Sequence, residues 1–100
     1  MLAFNRADHG NVSTLTLAGR LTINTALELT GTVDQLVNER RTKVIIDMAD
    51  LDLLDSSVVS MLMSLYRRVQ VVGGQCQLIN SKDQPLAILR LLEMDRVVLA

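Results

Sequence analysis

Cysteine occurs once in this chain of 100 residues, at Cys76, so no disulfide can close within it and no cysteine cage can hold a metal. Cys76 lies in "GGQCQLIN", which has the pattern of a strand, and it reads as a small buried hydrophobe. Tryptophan is absent and the aromatics are Phe4 and Tyr66 alone, which excludes a platform for stacking single-stranded bases. There is no basic excess: lysine plus arginine number 10 against 11 acidic residues, a formal charge of −1. Nucleic acid, whose phosphates need cationic partners, is therefore not an expected ligand. Arg40, Arg41 and Lys43 cluster, as do Arg67 and Arg68, and both groups read as solvated helix ends. No apolar run approaches the roughly 20 residues that span a bilayer. The opening "MLAFNRADHG" lacks a basic region followed by an apolar run, so neither a secretion signal nor a membrane partner is expected and the expected location is the cytoplasm. The lone histidine, His9, sits in a predicted hairpin turn and "GG" lacks the lysine and hydroxyl residue of a phosphate loop, so neither a hydrolytic triad nor a nucleotide cradle is indicated, and no cofactor is implied.

What the chain has is aliphatic bulk. Apolar residues make up 49% of it, enough for one domain over residues 1–100 with a single core. "LAFNR" and "VSTLTLAG" alternate apolar and polar residues and flank "ADHGN", which predicts an antiparallel hairpin. Ala26, Leu29, Val33, Leu36 and Val37 recur at helical spacing, with Thr25 and Glu28 fitting a capping box at the helix start. "KVIIDM" is a short β-branched run that predicts a buried parallel strand, and "ADLDLLD" follows as a loop or irregular extension. A helix from Ser56 or Ser57 carries the stripe Val58, Met61, Leu62, Leu65, Val69 and Val72, and Gly73–Gly74 stop it. "CQLIN" predicts another strand. "SKDQPLAILRLLEMD" predicts a final helix with Pro85 in its first turn, and "RVVLA" a last short strand or ordered tail. Strands separated by helices become parallel through crossovers, so the expected fold is α/β. It has a mixed sheet of about four to five strands, an antiparallel hairpin at its N-terminal edge, and helices mainly on one face.

Two features between the middle strand and its following helix bear on chemistry. Asp47, Asp50, Asp52 and Asp55 lie close together, but without the glycine and terminal glutamate of a calcium loop they read as a solvated acidic segment and not as a metal site. "DSS", Asp55 to Ser57, sits at a helix start, where free amides and the helix dipole favour negative charge. Asp55 or Ser56 can serve there as N-cap. The same position suits a hydroxyl on which a charge is written and erased.

The run "VIIDMADLDLLDSSVVSMLMSLYRRVQVVGGQCQLIN" resembles the STAS domain family, the anti-sigma factor antagonists in particular. That family follows a buried strand with D-S-S-G or D-S-T-G, an apolar helix, GG and a further strand. "LTLAGRLTINTALEL" is similar to its earlier L-x-G-x-L-D pattern, so the resemblance extends over nearly the whole chain. It implies a STAS-like domain that acts as a partner switch and is not an enzyme. In such switches the unmodified antagonist binds an anti-sigma factor that is also its serine kinase. Phosphorylation ends the binding, and a serine phosphatase restores it. The resemblance places the phosphate on Ser56, the serine directly after Asp55, with Ser57 in a supporting role. This sequence departs from the pattern at Val58, where the family has glycine, and at Thr22, where an acid is common.

A second set on the same helix, Val59, Met63 and Tyr66, is offset from the core stripe and would form an apolar patch leading away from Ser56 if exposed. Thr22, Val58, Val59, Met63 and Tyr66 are thus the candidate partner-binding residues. An alternative function is a STAS scaffold that is not phosphorylated, an accessory subunit of a sensory or transport assembly, and the departures at Val58 and Thr22 favour it.

Overall fold

The computed structural model describes residues 1–94. Alternation in the first two segments produces β1 (Leu2–His9) and β2 (Val12–Leu21), paired antiparallel from Leu2↔Gly19 to His9↔Val12. The turn between them is short because Gly10 takes φ +59°, a left-handed conformation that the first residue of a two-residue hairpin turn requires. The amphipathic helix α1 (Ile23–Asn38) then leads to β3 (Lys43–Leu54), α2 (Ser56–Val71) to β4 (Gln75–Ile79), and α3 (Asp83–Leu91) follows. The sheet order is β1-β2-β3-β4, with β2, β3 and β4 mutually parallel. Parallel strands that advance in one direction by crossovers of one hand place their helices on the same face. The buried rows accordingly come from one face: Leu15, Ile46 and Leu78 in one row, Ser13, Val44 and Cys76 in the next. The α/β class, the antiparallel hairpin and a sheet of four strands agree with the expectation. "RVVLA" lies outside the described residues.

Two boundaries differ from the sequence reading. The N-cap of α1 is Thr22, not Thr25. The Thr22 N–H donates to Thr25 Oγ1 at 2.9 Å, so the short threonine side chain plays the part assigned to Glu28, one turn earlier. The second difference is that β3 continues through "ADLDLL" as a strand. It does so with two register shifts against β2, between Thr16 and Ala18 and between Gly19 and Arg20. At each shift β3 holds one residue more than its partner, as a bulge does.

The hairpin is tied to the end of α1 by Arg6, which reaches Asp8 Oδ1 at 3.0 Å and Glu39 Oε1 at 2.6 Å. Hydrogen bonding from Arg6 is the main cause that holds the Asp8 and Glu39 carboxyls below their ordinary values of 3.8 and 4.5. Depressed carboxyls stabilise the fold above their unfolded pKa values and lose that contribution as pH falls through the folded ones. The gap in urea midpoint between wild type and Arg6→Met is therefore expected to be open at neutral pH and to close as pH falls below the ordinary carboxylate values and the two carboxyls protonate in the folded state.

Cys76 is buried in the strand row, and desolvation pushes its thiol up to about 11. Thiolate is the reactive form, so Cys76 in the native protein should resist a disulfide reagent at neutral pH and react only as urea unfolds the chain.

Candidate functional site

Helices α1 and α2 both start at the end of the sheet where β2 and β3 finish, with Leu21 opposite Leu54. The chain leaves β3 through Asp55, whose N–H donates to the Leu21 carbonyl at 2.9 Å. This bond sets the first turn of α2 beside that of α1. Asp55 has extended dihedrals (φ −77°, ψ 133°) and its Oδ1 accepts from the Ser57 N–H at 3.0 Å, while its carbonyl accepts from the Val58 N–H at 3.0 Å. The aspartate is thus the N-cap, and it satisfies two of the amides that a helix start leaves free.

That assignment settles which residue caps the helix and leaves the other available. Ser56 is the first residue of α2 and exposed. Its hydroxyl makes no hydrogen bond to protein among the described residues. Ser57 is exposed too; its amide is the capped group, and its carbonyl accepts from Ser60 Oγ at 3.4 Å. On the far side of the segment, the Leu54 N–H donates to Gln84 Oε1 at 2.8 Å and Gln84 Nε2 donates back to the Leu54 carbonyl at 3.0 Å.

The candidate partner-binding residues do not form the expected patch. Val58 and Val59 are buried, 3% and 5% exposed, and belong to the core. Met63 and Tyr66 are half-buried and pack against it, and the Tyr66 hydroxyl accepts from Gln70 Nε2 at 2.9 Å. The cause is that α2 is gripped on two sides, by β3 and β4 below and by α1 alongside, so it buries a wider stripe than one covering the sheet alone would need. Arg68 and Asp34, 2.9 Å apart, bridge α1 and α2 at the surface. Val58 points into the core, so its bulk is not spent beside Ser56. Thr22 is half-buried and engaged in starting α1, although it does lie on the same rim as Ser56.

The apolar surface on that rim comes from residues outside the expected set. Ile23 is 65% exposed and Leu27 80% exposed, one turn apart on the opening of α1. Their signal was present in the sequence: they are four residues apart, and Leu27 lies on the opposite side of the helix from the buried Leu36.

His9 pairs with Val12 at the start of β2, and the ten residues of that strand put it about 30 Å from the rim where Ser56 lies. Asp47 Oδ1 accepts from the Ala49 N–H and Asn80 Nδ2, at 3.0 and 3.1 Å, while Asp50 and Asp52 face solvent. Among the described residues no group of three or more histidine, cysteine or acidic side chains is placed to hold a metal ion, and no helix is long and apolar enough to cross a membrane.

Comparison with known proteins bears on the whole chain. No curated protein matches it. Among solved structures it superposes on an anti-sigma factor antagonist from Mycobacterium paratuberculosis with a TM-score of 0.89 at 19% identity, over 99% of this chain and 85% of that one. The anti-sigma factor antagonist SpoIIAA in its unphosphorylated form gives 0.85 at 18% identity, over 98% and 88% of the two chains. A putative anti-sigma factor antagonist from Thermotoga maritima gives 0.86 at 21% identity, over 95% and 82%. At these identities the likeness is one of fold. A family model described as "Mlab, STAS domain" matches residues 4–100. Sequence and fold therefore agree, and the chain belongs to the STAS domain family.

Proposed function

We propose that the protein is an anti-sigma factor antagonist that works by partner switching and is a kinase substrate, not a catalyst. Its unmodified form binds an anti-sigma factor that is also a serine kinase. That kinase places phosphate on Ser56 and the complex dissociates; a serine phosphatase returns the protein to its binding form. The observation that carries this reading is the division of labour at the start of α2. Asp55 caps the helix, and Ser56 is left exposed with its hydroxyl uncommitted.

The apolar pair Ile23 and Leu27, on the same rim, supplies the surface by which a partner would be held. This replaces Val58, Val59, Met63 and Tyr66 in that role. The fold shared with SpoIIAA, a protein solved in both unphosphorylated and phosphorylated forms, is consistent with such a switch.

The test is to capture the partner with the unmodified protein and then add Mg-ATP. Release of the partner, with a gain of one phosphate on Ser56, is the expected result. Ser56→Ala should bind as wild type does and hold its partner through ATP addition. A second reading, an unphosphorylated scaffold or accessory subunit of a sensory or transport assembly, draws on Thr22. The position where relatives commonly carry an acid is here committed to starting α1. It predicts a complex that ATP leaves intact.

A further inference from the structure

Strand β4 accompanies β3 only as far as the pair Asp47↔Ile79. From Met48 to Leu54, β3 has β2 on one side and, among the described residues, no strand on the other. Leu54 is fully buried, so its amide and carbonyl need partners. One side chain supplies both. The Gln84 carboxamide accepts from the Leu54 N–H at 2.8 Å and donates to the Leu54 carbonyl at 3.0 Å, as a neighbouring strand would. The next residue, Asp55, is bonded to the Leu21 carbonyl. The segment that presents Ser56 is thus fastened to β2 through Leu21 and to α3 through Gln84.

The turn between β4 and α3 is shaped to bring Gln84 there. Asn80 and Asp83 take left-handed dihedrals, φ +59° and +53°, which these two residue types adopt at less cost than most. Asn80 also anchors the turn by donating to Asp47 Oδ1 at 3.1 Å. Gln84 is itself exposed, so the hydrogen bonds, more than any packing, are what the side chain contributes.

We propose that Gln84 is a positioning residue for Ser56: by holding both polar groups of the Leu54 backbone, it keeps the acceptor serine in the conformation its kinase docks on. The proposal rests on the reading that Ser56 accepts phosphate. Without the clamp the segment must be ordered each time the kinase docks, which weakens productive binding. Once docked, the hydroxyl and its chemistry are unchanged. The signature is a raised KM with little change in kcat.

Two variants separate the hydrogen bonds from side-chain bulk. Gln84→Met keeps the length and loses both bonds. Gln84→Glu keeps an acceptor for the Leu54 N–H and sets a second acceptor against the Leu54 carbonyl. Each is compared with wild type for hydrogen exchange at the Leu54 amide, and for KM and kcat of Ser56 phosphorylation by the co-purified kinase with Mg-ATP. The expected result in both is Leu54 exchange about tenfold faster and a KM about fivefold higher, with kcat within about twofold of wild type. A wild-type KM in Gln84→Met overturns the proposal whether or not exchange is faster, because the clamp would then be structural only. A lowered kcat at unchanged KM overturns it as well. Failure of the wild-type chain itself to take phosphate on Ser56 removes the functional reading and this role together. A phosphorylated wild type with indifferent variants removes only the role of Gln84.

Discussion

A single phosphate on Ser56 should weaken binding to the anti-sigma factor by more than about 100-fold and leave the fold intact. The group adds about −1.5 to −2 charges and a tightly held shell of water. Asp55 is its immediate neighbour and, as N-cap, keeps its carboxylate beside the Ser57 amide. Two unit charges about 5 Å apart repel by about 3 kcal/mol at an effective dielectric of about 20. In the free protein Ser56 is exposed and Asp55 half-buried, so water screens much of that repulsion, and the amides at the start of α2 return about 0.3–1 kcal/mol. The thermal midpoint of the phosphorylated protein should consequently stay within about 5 °C of the unmodified one. In the complex the balance changes, because the phosphate must shed water against a partner surface seated next to Ile23 and Leu27. A penalty of about 3 kcal/mol at that point gives the stated loss of affinity. Calorimetric titration of the partner with protein carrying phosphoserine at position 56, and with Ser56→Asp, measures it. The aspartate, with a single charge and less bulk, should lose less affinity than the phosphate. Equal affinity for all three forms would place Ser56 outside the interface.

A large effect on stability is expected at Gly74. The two glycines after α2 perform different tasks. Gly73 turns the chain with φ +86°, and a Cβ there would meet nothing within 4 Å. Gly74 lets two pieces of backbone approach: a Cβ on it would lie 2.6 Å from the Arg41 carbonyl oxygen and 2.8 Å from Cγ1 of the buried Val69. The Arg41 carbonyl belongs to the segment that enters β3, and the neighbouring Gln75 N–H donates to the Thr42 carbonyl at 2.9 Å, so this backbone has little freedom to withdraw. Gly74→Ala would wedge the last turn of α2 away from the start of β3. The expected cost is about 2–3 kcal/mol, a fall of about 10–20 °C in thermal midpoint for a domain of this size. Gly73→Ala meets only the backbone preference and should cost about 1 kcal/mol. Thermal melts of the two variants side by side check the order. An equal loss in both would mean that the glycine pair acts only as a helix stop.

The start of α2 was legible in the sequence because capping is a local matter. An aspartate and two serines ahead of an apolar stripe mark a helix start wherever they occur, and the resemblance added Ser56 as the expected acceptor. Which residue caps was decided by geometry alone, through the contact of Asp55 Oδ1 with the Ser57 amide.

The end of β3 was not legible, and the reason is its spacing. The buried residues run Val44, Ile46, Met48 and then Leu51, Leu54. The two bulges change the interval from two to three and erase the alternation by which a strand is recognised. Whether Val59, Met63 and Tyr66 are exposed was not legible, because periodicity along one helix cannot reveal how many neighbours will grip it. Here α1 and the sheet together cover a wide face of α2. The contact of Gln84 with Leu54 joins residues 30 apart through polar atoms, and no hydrophobic pattern signals such a bond.

The measurement that bears most directly on the account is the intact mass of the wild-type protein after incubation with its captured partner and Mg-ATP, with the modified site then mapped. The account predicts a gain of one phosphate, confined to Ser56, and its complete absence in Ser56→Ala. A mass that does not change, or a phosphate carried on another residue, would contradict it.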